Sequence, residues 1–379
     1  MMKLLVLTTI RAPYRIDLFN ELGKLCDLTV CFEQEHDVIR EEKWYKNEFV
    51  NFEGVVLKKA SQKLSTIKFE FIKQLRENDY DLCIFYEYST KTALLSMEYC
   101  IIHKIKYAIN CDGVLNITKT FKNVAKKYFV KNASACLANG ASAKRYFLNF
   151  GANPQKIYMH NFGSLFSNNV LTKIVDTKEK KELKKKLNLN EENTLVISVG
   201  NFIEGKGFNY LLDVFLELKD NYNIDLLIIG SGPMKDSFIS YIKNNDLNNV
   251  IIKDFLLKEE LFEYYMAADI FAFATLEDVW GLVTVEAMSF GLPIISSKNA
   301  NSSLELIQNG INGYLCDLNN NDIFDAIINL YKNNELREKM GTENLKIAQK
   351  FTVERNSSDI YSNLIKVLGA ENEDKFKCS

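Results

Sequence analysis

The chain has 379 residues, of which 47% are hydrophobic and 25% are charged, and its formal net charge at pH 7 is −2. This length and composition predict a globular protein with a full hydrophobic core and about two domains. The nearly balanced charge argues against a bulk electrostatic attraction to nucleic acid. We therefore expect no nucleic-acid partner.

The cysteines and the apolar runs bear on the cellular compartment. None of the eight cysteines forms a C-x-x-C pair, and most lie in apolar runs where a thiol behaves as a small hydrophobe, which favours a reducing compartment. No segment approaches the roughly 18 apolar residues of a membrane span, and no small-residue cleavage site follows the N-terminal apolar run. We expect a cytoplasmic protein, with peripheral association at the inner face of the plasma membrane left open.

Short apolar runs alternate with longer amphipathic segments through the first half of the chain. Runs rich in β-branched residues predict strands, and the longer segments between them predict helices. Strands that alternate with helices form parallel sheets, so this half is predicted to be a doubly wound, Rossmann-like α/β domain. The predicted strands are 3–8, 28–32, 81–87, 107–112 and 134–139, and the clearest predicted helices are 14–25 and 91–104.

A charged segment separates this half from a second one of the same kind. Residues 171–193 are dense in lysine and glutamate, which predicts a solvated linker and a surface helix. We predict an N-terminal domain over 1–168, a C-terminal domain over 169–350, and a C-terminal helix over 351–379 that packs back toward the N-terminal domain. The strands predicted for the second half are 194–200, 225–230, 250–255, 270–275 and 293–297.

Two strand ends of the second half carry glycine-rich turns. After the first strand, glycines surround Lys206 directly before an amphipathic helix, and backbone N–H groups with one lysine suit a phosphate or diphosphate. The spacing is neither that of a Walker loop nor that of a dinucleotide fingerprint, so an ordinary turn with a solvated lysine is the alternative. After the second strand, the glycines of 230–232 allow a close backbone approach.

The third turn holds two carboxylates, Asp278 and Glu286, which stand eight positions apart with Gly281 between them. The apolar run 282–290 predicts a buried helix that begins after Gly281, with Glu286 one turn in on the face of Leu282. Two acids can bind hydroxyls, and the N–H groups at the helix start can bind an anion between them. Hydroxyls flanking a diphosphate describe a sugar nucleotide, whereas the alternative for Glu286 is an ordinary surface-helix acid.

The order of these motifs resembles that of the family-four retaining glycosyltransferases, whose GT-B fold has two Rossmann-like doubly wound domains that face a central cleft. Segments 11–22 and 305–315 extend the resemblance to members that build bacterial capsule and other surface polysaccharides. The motifs are Gly-Asn-Phe-x-x-x-Lys-Gly (200–207), Gly-Ser-Gly-Pro (230–233), Asp-Phe-x-x-x-x-Glu-Leu (254–261), Asp-Val-Trp-Gly-Leu-Val (278–283), Glu-Ala-Met (286–288) and Gly-Leu-Pro (291–293).

The resemblance implies a role for each matching residue. Lys206 is expected to bind the donor diphosphate, Glu286 the ribose and Asp278 the transferred sugar. Neutralising Asp278 is therefore expected to leave the affinity for a bare nucleoside diphosphate unchanged. The C-terminal domain would bind a UDP- or GDP-sugar and the N-terminal domain a glycan or lipid-linked acceptor, with no metal or other cofactor. The remaining donor-binding residues are Gly200, Asn201, Gly230, Asp254, Phe255, Trp280, Gly281, Leu282 and Val283.

The sequence departs from the family pattern at three positions. Asp278 stands where glutamate is common, and Asn201 stands where an arginine often binds diphosphate. Many members place a histidine in the N-terminal domain where this chain has Cys111, Asp112 and Gly113. Asp112 is therefore a third candidate catalytic residue beside Asp278 and Lys206, with a helix-capping role as the alternative. The three histidines, His36, His103 and His160, lack metal-ligand spacing and are predicted to be non-catalytic.

A basic amphipathic segment, 119–131, is the second feature of the N-terminal domain. Its lysines interleave with aromatic residues, which predicts contact with an anionic membrane or lipid-linked acceptor, or else an ordinary solvated helix face. The candidate membrane and acceptor residues are Arg15, Lys119, Lys122, Lys126 and Lys127.

The sequence thus predicts a retaining transferase. It would move a hexose-type sugar from a nucleotide sugar to a hydroxyl of a glycan or lipid-linked acceptor in surface polysaccharide biosynthesis. Two alternatives stay open, a sugar-nucleotide epimerase of the same fold and a catalytically weak scaffold subunit that binds sugar nucleotides.

Overall fold

The computed structural model describes residues 1–34, 48–57, 67–114 and 122–369, except for the side chain of Lys122. The chain divides into two compact units. Unit 1 comprises residues 1–164 together with the segment from Thr352 onward, and unit 2 comprises Leu165–Phe351. Along the chain, the boundary between the two units therefore lies between residues 164 and 165, whereas the predicted domain boundary lies between 168 and 169. Within the described ranges, no helix is long and apolar enough to cross a membrane.

Unit 1 is built on a seven-stranded parallel sheet with helices between the strands. The central strands are almost completely buried, as expected where helices cover both faces of a parallel sheet. Its elements up to the unit boundary are β1 Lys3–Thr8, α1 Pro13–Gly23, β2 Asp27–Phe32, β3 Glu53–Val56, α2 Phe69–Glu77, β4 Leu82–Phe85, α3 Lys91–Ile102, β5 Tyr107–Cys111, α4 Lys122–Asn132, β6 Ala135–Asn139, α5 Gly140–Asn149 and β7 Ile157–His160.

Unit 2 repeats the plan with a six-stranded parallel sheet. Its core is formed by the buried strands together with the apolar face of the helix that follows the first strand, α7. Its elements are α6 Thr177–Lys186, β8 Thr194–Val199, α7 Phe208–Leu218, β9 Ile224–Ile229, α8 Lys235–Asn244, β10 Val250–Lys253, α9 Lys258–Ala267, β11 Ile270–Phe273, α10 Leu282–Ser289, β12 Ile294–Ser297, α11 Asn301–Leu306, β13 Gly313–Cys316, α12 Asn320–Lys332 and α13 Asn334–Ala348.

The last helix, α14 (Val353–Leu368), returns to unit 1. It packs against α1 and β7, and the Asn363 side chain donates a hydrogen bond of 2.8 Å to the Met159 carbonyl. The C-terminal helix therefore forms part of the core of unit 1. The predicted segment 351–379 extends beyond the helix, and residues 370–379 lie outside the described ranges.

The strand order locates the ligand-binding edge of each sheet. The orders are β3-β2-β1-β4-β5-β6-β7 in unit 1 and β10-β9-β8-β11-β12-β13 in unit 2. In unit 1 the chain moves outward from β1 through β2 to β3 and then returns to place β4 on the other side of β1. The strands β8 to β11 of unit 2 follow the same path. The switch points therefore lie between β1 and β4 and between β8 and β11. Ligands of doubly wound sheets bind at the carboxyl ends of the strands beside such a switch point.

Two Rossmann-like parallel sheets confirm the predicted fold class, and all ten predicted strands are present. Strands β3, β7 and β13 were not predicted. Each of these strands has four residues and lies at the edge of its sheet.

The prediction of a solvated helix over 171–193 is wrong for one face of α6. Lys184 is buried, and its ammonium donates to Asp269 Oδ2 at 2.7 Å, while Lys180 contacts Asp269 Oδ1 at 3.3 Å. Together the two ammonium groups lower the pKa of the buried Asp269 to about 2, against the opposing effect of burial. The long aliphatic stems of lysine allow a charged face of this kind to pack on a sheet.

Candidate functional site

The switch point of unit 2 brings together two of the predicted donor-binding loops. Strands β8 and β11 are hydrogen-bonded neighbours, with Phe271 paired to Ile197. The loops that follow them, 200–207 and 274–281, therefore leave the same edge of the sheet side by side. Lys206 lies in the first loop, and Asp278 and Gly281 lie in the second.

The two loops are held together by hydrogen bonds between them. The Gly205 carbonyl accepts from the Thr275 hydroxyl at 2.8 Å and from the Leu276 N–H at 2.9 Å. Gly207 has a φ of +64°, and a Cβ on it would lie 1.9 Å from the Ala274 carbonyl oxygen. Only glycine fits there, because both the left-handed backbone and the close approach exclude a side chain. Lys206 is thus carried on a loop that is fixed against the end of β11.

The glycine that follows β9, Gly230, allows a third loop to pack closely against the loop after β8. A Cβ on Gly230 would lie 1.9 Å from the Gly200 carbonyl oxygen, so any side chain at position 230 would keep the loop after β9 away from the loop after β8. The Phe202 N–H donates to the Ser231 carbonyl at 2.7 Å, which joins the two loops directly beside Asn201. The Asn201 side chain is half-buried.

The loop that carries Asp278 is tied to the chain after β12. The Asp278 N–H donates to the Asn299 carbonyl at 3.0 Å, and the Asp278 carboxylate accepts from the Trp280 N–H at 3.1 Å. The indole of Trp280 is 3% exposed and stacks on Phe351 with ring centres 6.3 Å apart. The tryptophan side chain therefore belongs to the core, which leaves only its backbone at the site edge.

Lys206 and Asp278 form an ion pair across the switch point. The lysine side chain is 20% exposed and the aspartate side chain 16% exposed, so the pair is partly shielded from water. The Lys206 ammonium also lies 5.6 Å from the centre of the Phe273 ring. The structure therefore joins the two residues that the sequence assigned to diphosphate and to sugar.

Helix α10 begins directly after Gly281, as predicted. The φ of Gly281 is +86°, and a Cβ there would lie 3.0 Å from the hydroxyl of Ser302. Leu282, Val283 and Glu286 are half-buried, whereas the intervening positions are buried, so these three share the accessible face of the helix. The first N–H groups of a helix have no partner within it and carry its positive end, which makes this terminus suitable for an anion.

Glu286 has a buried neighbour that the sequence did not reveal. The hydroxyl of Tyr265, on α9, lies 3.4 Å from Glu286 Oε2, and burial together with the nearby carboxylate raises the pKa of Tyr265 well above its ordinary value. The Tyr265 ring is fully buried and stacks on Phe290 at 5.3 Å and 13°. Tyr265 lies among the charged and apolar residues of α9 (Lys258–Ala267), and no local pattern in that helix indicates contact with Glu286.

The predicted base-binding residues lie at the far end of the same edge. Asp254 and Phe255 follow β10, which is the edge strand two positions away from β8. Asp254 is exposed and ion-paired with Lys235 at the start of α8, and Phe255 is half-buried. Neighbouring strands are about 4.8 Å apart, so this position is about 10 Å from β8, a spacing that a nucleotide can span.

In unit 1, Asp112 follows β5 and is held by two side chains. Arg15, from α1, pairs with one carboxylate oxygen, and Asn110 Nδ2 donates to the other at 2.8 Å. Arg15 is 5% exposed, and its guanidinium lies 4.3 Å from the centre of the Tyr86 ring. The prediction that Arg15 contacts a membrane or acceptor therefore needs correction, because this side chain is inside the unit. The Asp112 side chain is itself 26% exposed.

The structure describes two of the three histidines. His160 is buried at the end of β7, where Nδ1 lies 2.9 Å from Asn356 Oδ1, and burial lowers its pKa to about 4. His103 ends α3 and stacks on Tyr99 at 4.1 Å. His36 lies outside the described ranges. No cluster of three or more metal-ligating side chains occurs among the residues described.

The basic segment forms helix α4 from Lys122 onward. Lys127 is exposed, whereas Lys126 is half-buried with its ammonium 5.9 Å from the centre of the Tyr146 ring. Val124 and Tyr128, one turn apart, are 67% and 43% exposed. A partly apolar, basic face is therefore open on this helix. Lys119 and the side chain of Lys122 lie outside the described residues.

Part of the chain is similar to known glycosyltransferases. Residues 179–346 match the family model described as Glycosyl transferases group 1. The chain is 29% identical over 167 residues to an uncharacterized glycosyltransferase of Haemophilus influenzae, an alignment covering 43% of this chain and 47% of that protein. It is 26% identical over 196 residues to the capsular polysaccharide biosynthesis glycosyltransferase CapM of Staphylococcus aureus, covering 50% of each. The chain thus spans about half the length of these curated relatives.

The likeness to solved structures extends over nearly the whole chain. The crystal structure of Anabaena Alr3699/HepE in complex with UDP superposes with a TM-score of 0.78 at 18% identity, covering 96% of this chain and 100% of that one. A likeness at this level of identity concerns the fold. The chain therefore has the GT-B fold, and its residues 179–346 are similar to the group 1 glycosyltransferases, with a resemblance to glycosyltransferases of bacterial surface polysaccharides.

Proposed function

We propose that this protein transfers a sugar from a nucleoside-diphosphate sugar, bound by unit 2, to a hydroxyl of an acceptor. The observation that carries the proposal is the convergence of Lys206, Asp278 and the start of α10 on the switch point of the unit 2 sheet. A cation and free helix N–H groups suit a diphosphate, and flanking carboxylates suit hydroxyls. The HepE structures contain UDP and, in another case, UDP-glucose, which supports UDP-sugars as the first donors to test.

Each part of the donor has a natural partner in this arrangement. Glu286 would accept hydrogen bonds from the ribose hydroxyls, and Asp278 would accept from the sugar. Phe255 and the backbone near Asp254 would contact the base. Lys206 and the N–H groups of Leu282 and Val283 would supply a preorganised positive field. Such a field stabilises the charge that develops on the departing diphosphate.

We further propose that the sugar is a hexose and that its anomeric configuration is retained. Asp278 is paired with Lys206 and held by the Trp280 N–H, which makes it a poor nucleophile, and the neighbouring Glu277 is exposed. Attack from the face of the departing phosphate therefore fits the site better than a covalent intermediate. The positive field comes from protein groups, so we expect turnover to survive a chelator.

The acceptor is proposed to be a glycan or a lipid-linked sugar in surface polysaccharide synthesis. Similarity to CapM, which is named for capsular polysaccharide biosynthesis, supports this class. Asp112, held by Arg15 and still partly exposed at the carboxyl edge of the unit 1 sheet, is a candidate partner for the acceptor hydroxyl. The exposed basic face of α4 would rest on an anionic membrane, where such acceptors are carried.

The test begins with a thermal-shift screen against UDP-glucose, GDP-mannose, ADP-glucose and dTDP-glucose. At 100 times its dissociation constant a ligand adds about 2.7 kcal/mol of stability, which is readily seen as a higher melting temperature. We expect stabilisation by at least one donor in the parent and in Lys243→Met, an exposed lysine on α8, but not in Lys206→Met. No stabilisation by any donor would contradict the proposal.

The stabilising donor is then incubated with the protein alone, and its products are analysed by proton NMR in the presence of EDTA. We expect slow release of nucleoside diphosphate and of a sugar whose first-formed anomer keeps the donor configuration. A sugar changed at another carbon would instead identify an epimerase. Binding without any turnover, with or without candidate acceptors, would identify a scaffold subunit.

A further inference from the structure

The ion pair between Lys206 and Asp278 bears on how the site distinguishes its substrate from its product. Both side chains come from loops that are fixed to one another through Gly205 and Thr275. The carboxylate is also held in place by the Trp280 N–H at 3.1 Å. The pair is therefore a feature of the folded site, with the lysine neutralised by a resident carboxylate.

A diphosphate that takes the Lys206 ammonium must displace this carboxylate partner. Asp278 cannot withdraw far, because its backbone N–H is bonded to the Asn299 carbonyl and its side chain to the Trp280 N–H. A negative charge thus stays beside the bound phosphates. In a partly shielded site of this kind, like charges repel more strongly than they do in bulk water.

The substrate and the product meet this charge differently. The terminal phosphate of a nucleoside diphosphate has a single bridging oxygen, shared with the inner phosphate, and like a phosphate monoester it carries between about 1.5 and 2 negative charges at pH 7. In a sugar nucleotide the same phosphate has a second bridging oxygen, in its ester bond to the sugar, and carries a single charge, and the sugar can donate a hydroxyl hydrogen bond to the carboxylate. Asp278 therefore repels the product and attracts the substrate.

We propose that Asp278 sets the preference of this site for sugar nucleotide over the spent nucleoside diphosphate, with Lys206 exchanging its carboxylate partner for phosphate when the donor binds. The inference rests on the proposed function and deepens it. It assigns Asp278 a second task besides contact with the sugar, which is to keep product inhibition weak.

The experiment compares calorimetric affinities for UDP and UDP-glucose, or for GDP and GDP-mannose if the parent prefers guanine. Asparagine at position 278 keeps the oxygen that accepts from Trp280 but lacks the charge. For Asp278→Asn we expect UDP to bind about threefold to tenfold more tightly than it binds the parent, corresponding to about 0.7 to 1.4 kcal/mol. UDP-glucose should bind the same or more weakly. Asp278→Glu should keep the parental ratio of the two affinities.

The matched control is Asp317→Asn. It also removes a carboxylate that pairs with a lysine, Lys298 at 2.9 Å, at the carboxyl edge of the same sheet. This change should leave both affinities within about twofold of the parent, because exposed charges at a distance are screened by salt.

Three outcomes decide the matter. Tighter UDP binding in Asp278→Asn alone supports the inference. Unchanged or weaker UDP binding in that variant, or equal tightening in Asp317→Asn, overturns the inference and leaves the proposed function intact. If the parent binds no donor of the thermal-shift screen, both the function and the inference fail; a parent that binds only ADP-glucose or dTDP-glucose is compared with that donor and its own nucleoside diphosphate. A circular-dichroism melt of each variant confirms that the compared proteins are folded.

Discussion

Replacing Glu286 by glutamine probes the predicted ribose contact. The residue lies on the accessible face of α10 beside Leu282 and Val283, with the Tyr265 hydroxyl 3.4 Å from Oε2. Glutamine keeps the shape and one acceptor oxygen but removes the charge. A hydrogen bond to a charged group contributes about 1.5 to 3 kcal/mol, and desolvation of the carboxylate offsets part of that gain. We expect the dissociation constant of the bare nucleoside diphosphate to rise about tenfold to hundredfold.

The assay is isothermal titration of the parent, Glu286→Gln and Glu217→Gln with UDP and GDP. Glu217 is an exposed acid on α7, so its amide variant controls for the loss of one charge in unit 2. The control should match the parent. Equal affinity of parent and Glu286→Gln for the bare nucleotide would refute the ribose role, because no other part of that ligand is assigned to this side chain.

Three further predictions concern stability and the membrane. Asp269→Asn should lower the free energy of unfolding in urea at pH 7 by about 3 to 5 kcal/mol, since it leaves the buried Lys184 without its charge partner. The pKa of Asp269 in the folded protein is about 2, below its ordinary 3.8. The stability that this carboxylate adds above pH 3.8 should therefore be lost as the pH falls through about 2. The pKa of His160 is about 4 in the folded protein against an ordinary 6.5, so between these pH values the unfolded chain binds a proton that the folded chain does not. The urea concentration at the unfolding midpoint should therefore decrease as the pH is lowered from 6.5 to 4, and this decrease should be smaller in His160→Gln. Reversing the charge of Lys127 and Lys131, both exposed on α4, should abolish sedimentation with phosphatidylserine vesicles but leave donor hydrolysis unchanged. The control reverses two exposed lysines of α6 and should change neither sedimentation nor hydrolysis.

Strand burial explains how much of the fold was predictable from the sequence. The ten predicted strands include β1, β8 and β11, which are largely apolar and buried because helices cover both sheet faces. The three missed strands lie at sheet edges, where one side faces no neighbouring strand and only part of each strand is buried. Edge position depends on the finished topology, so short local sequence carries little signal for it.

The site was predictable as a set of motifs and not as a set of contacts. Spacing alone placed Glu286 and Leu282 on one helix face, and the structure agrees. No local pattern indicates that Lys206 and Asp278 pair, because the two loops are brought together by the adjacency of β8 and β11. The sequence predicted that neutralising Asp278 would not affect binding of a bare diphosphate, whereas the ion pair with Lys206 leads us to expect tighter binding in Asp278→Asn.

Arg15 illustrates the same limit in unit 1. Arg15 is among the candidate membrane and acceptor residues predicted from the sequence. Its buried position depends on a partner 97 residues away in the sequence, Asp112. Similarly, the lysines of α6 read as a solvated face until Asp269, at the start of β11, is known to lie beneath them. Long-range charge pairs of this kind leave no periodic trace in the sequence.

A crystal structure with a bound, slowly hydrolysed donor analogue tests the central claim most directly. The account predicts density for the diphosphate at the start of α10, with phosphate oxygens within about 3.2 Å of the Leu282 and Val283 N–H groups and of the Lys206 ammonium. The ribose should lie against Glu286, and Asp278 should contact the sugar instead of Lys206. A nucleotide bound elsewhere on the chain, or a diphosphate at this edge with Lys206 still paired to Asp278, would contradict the account.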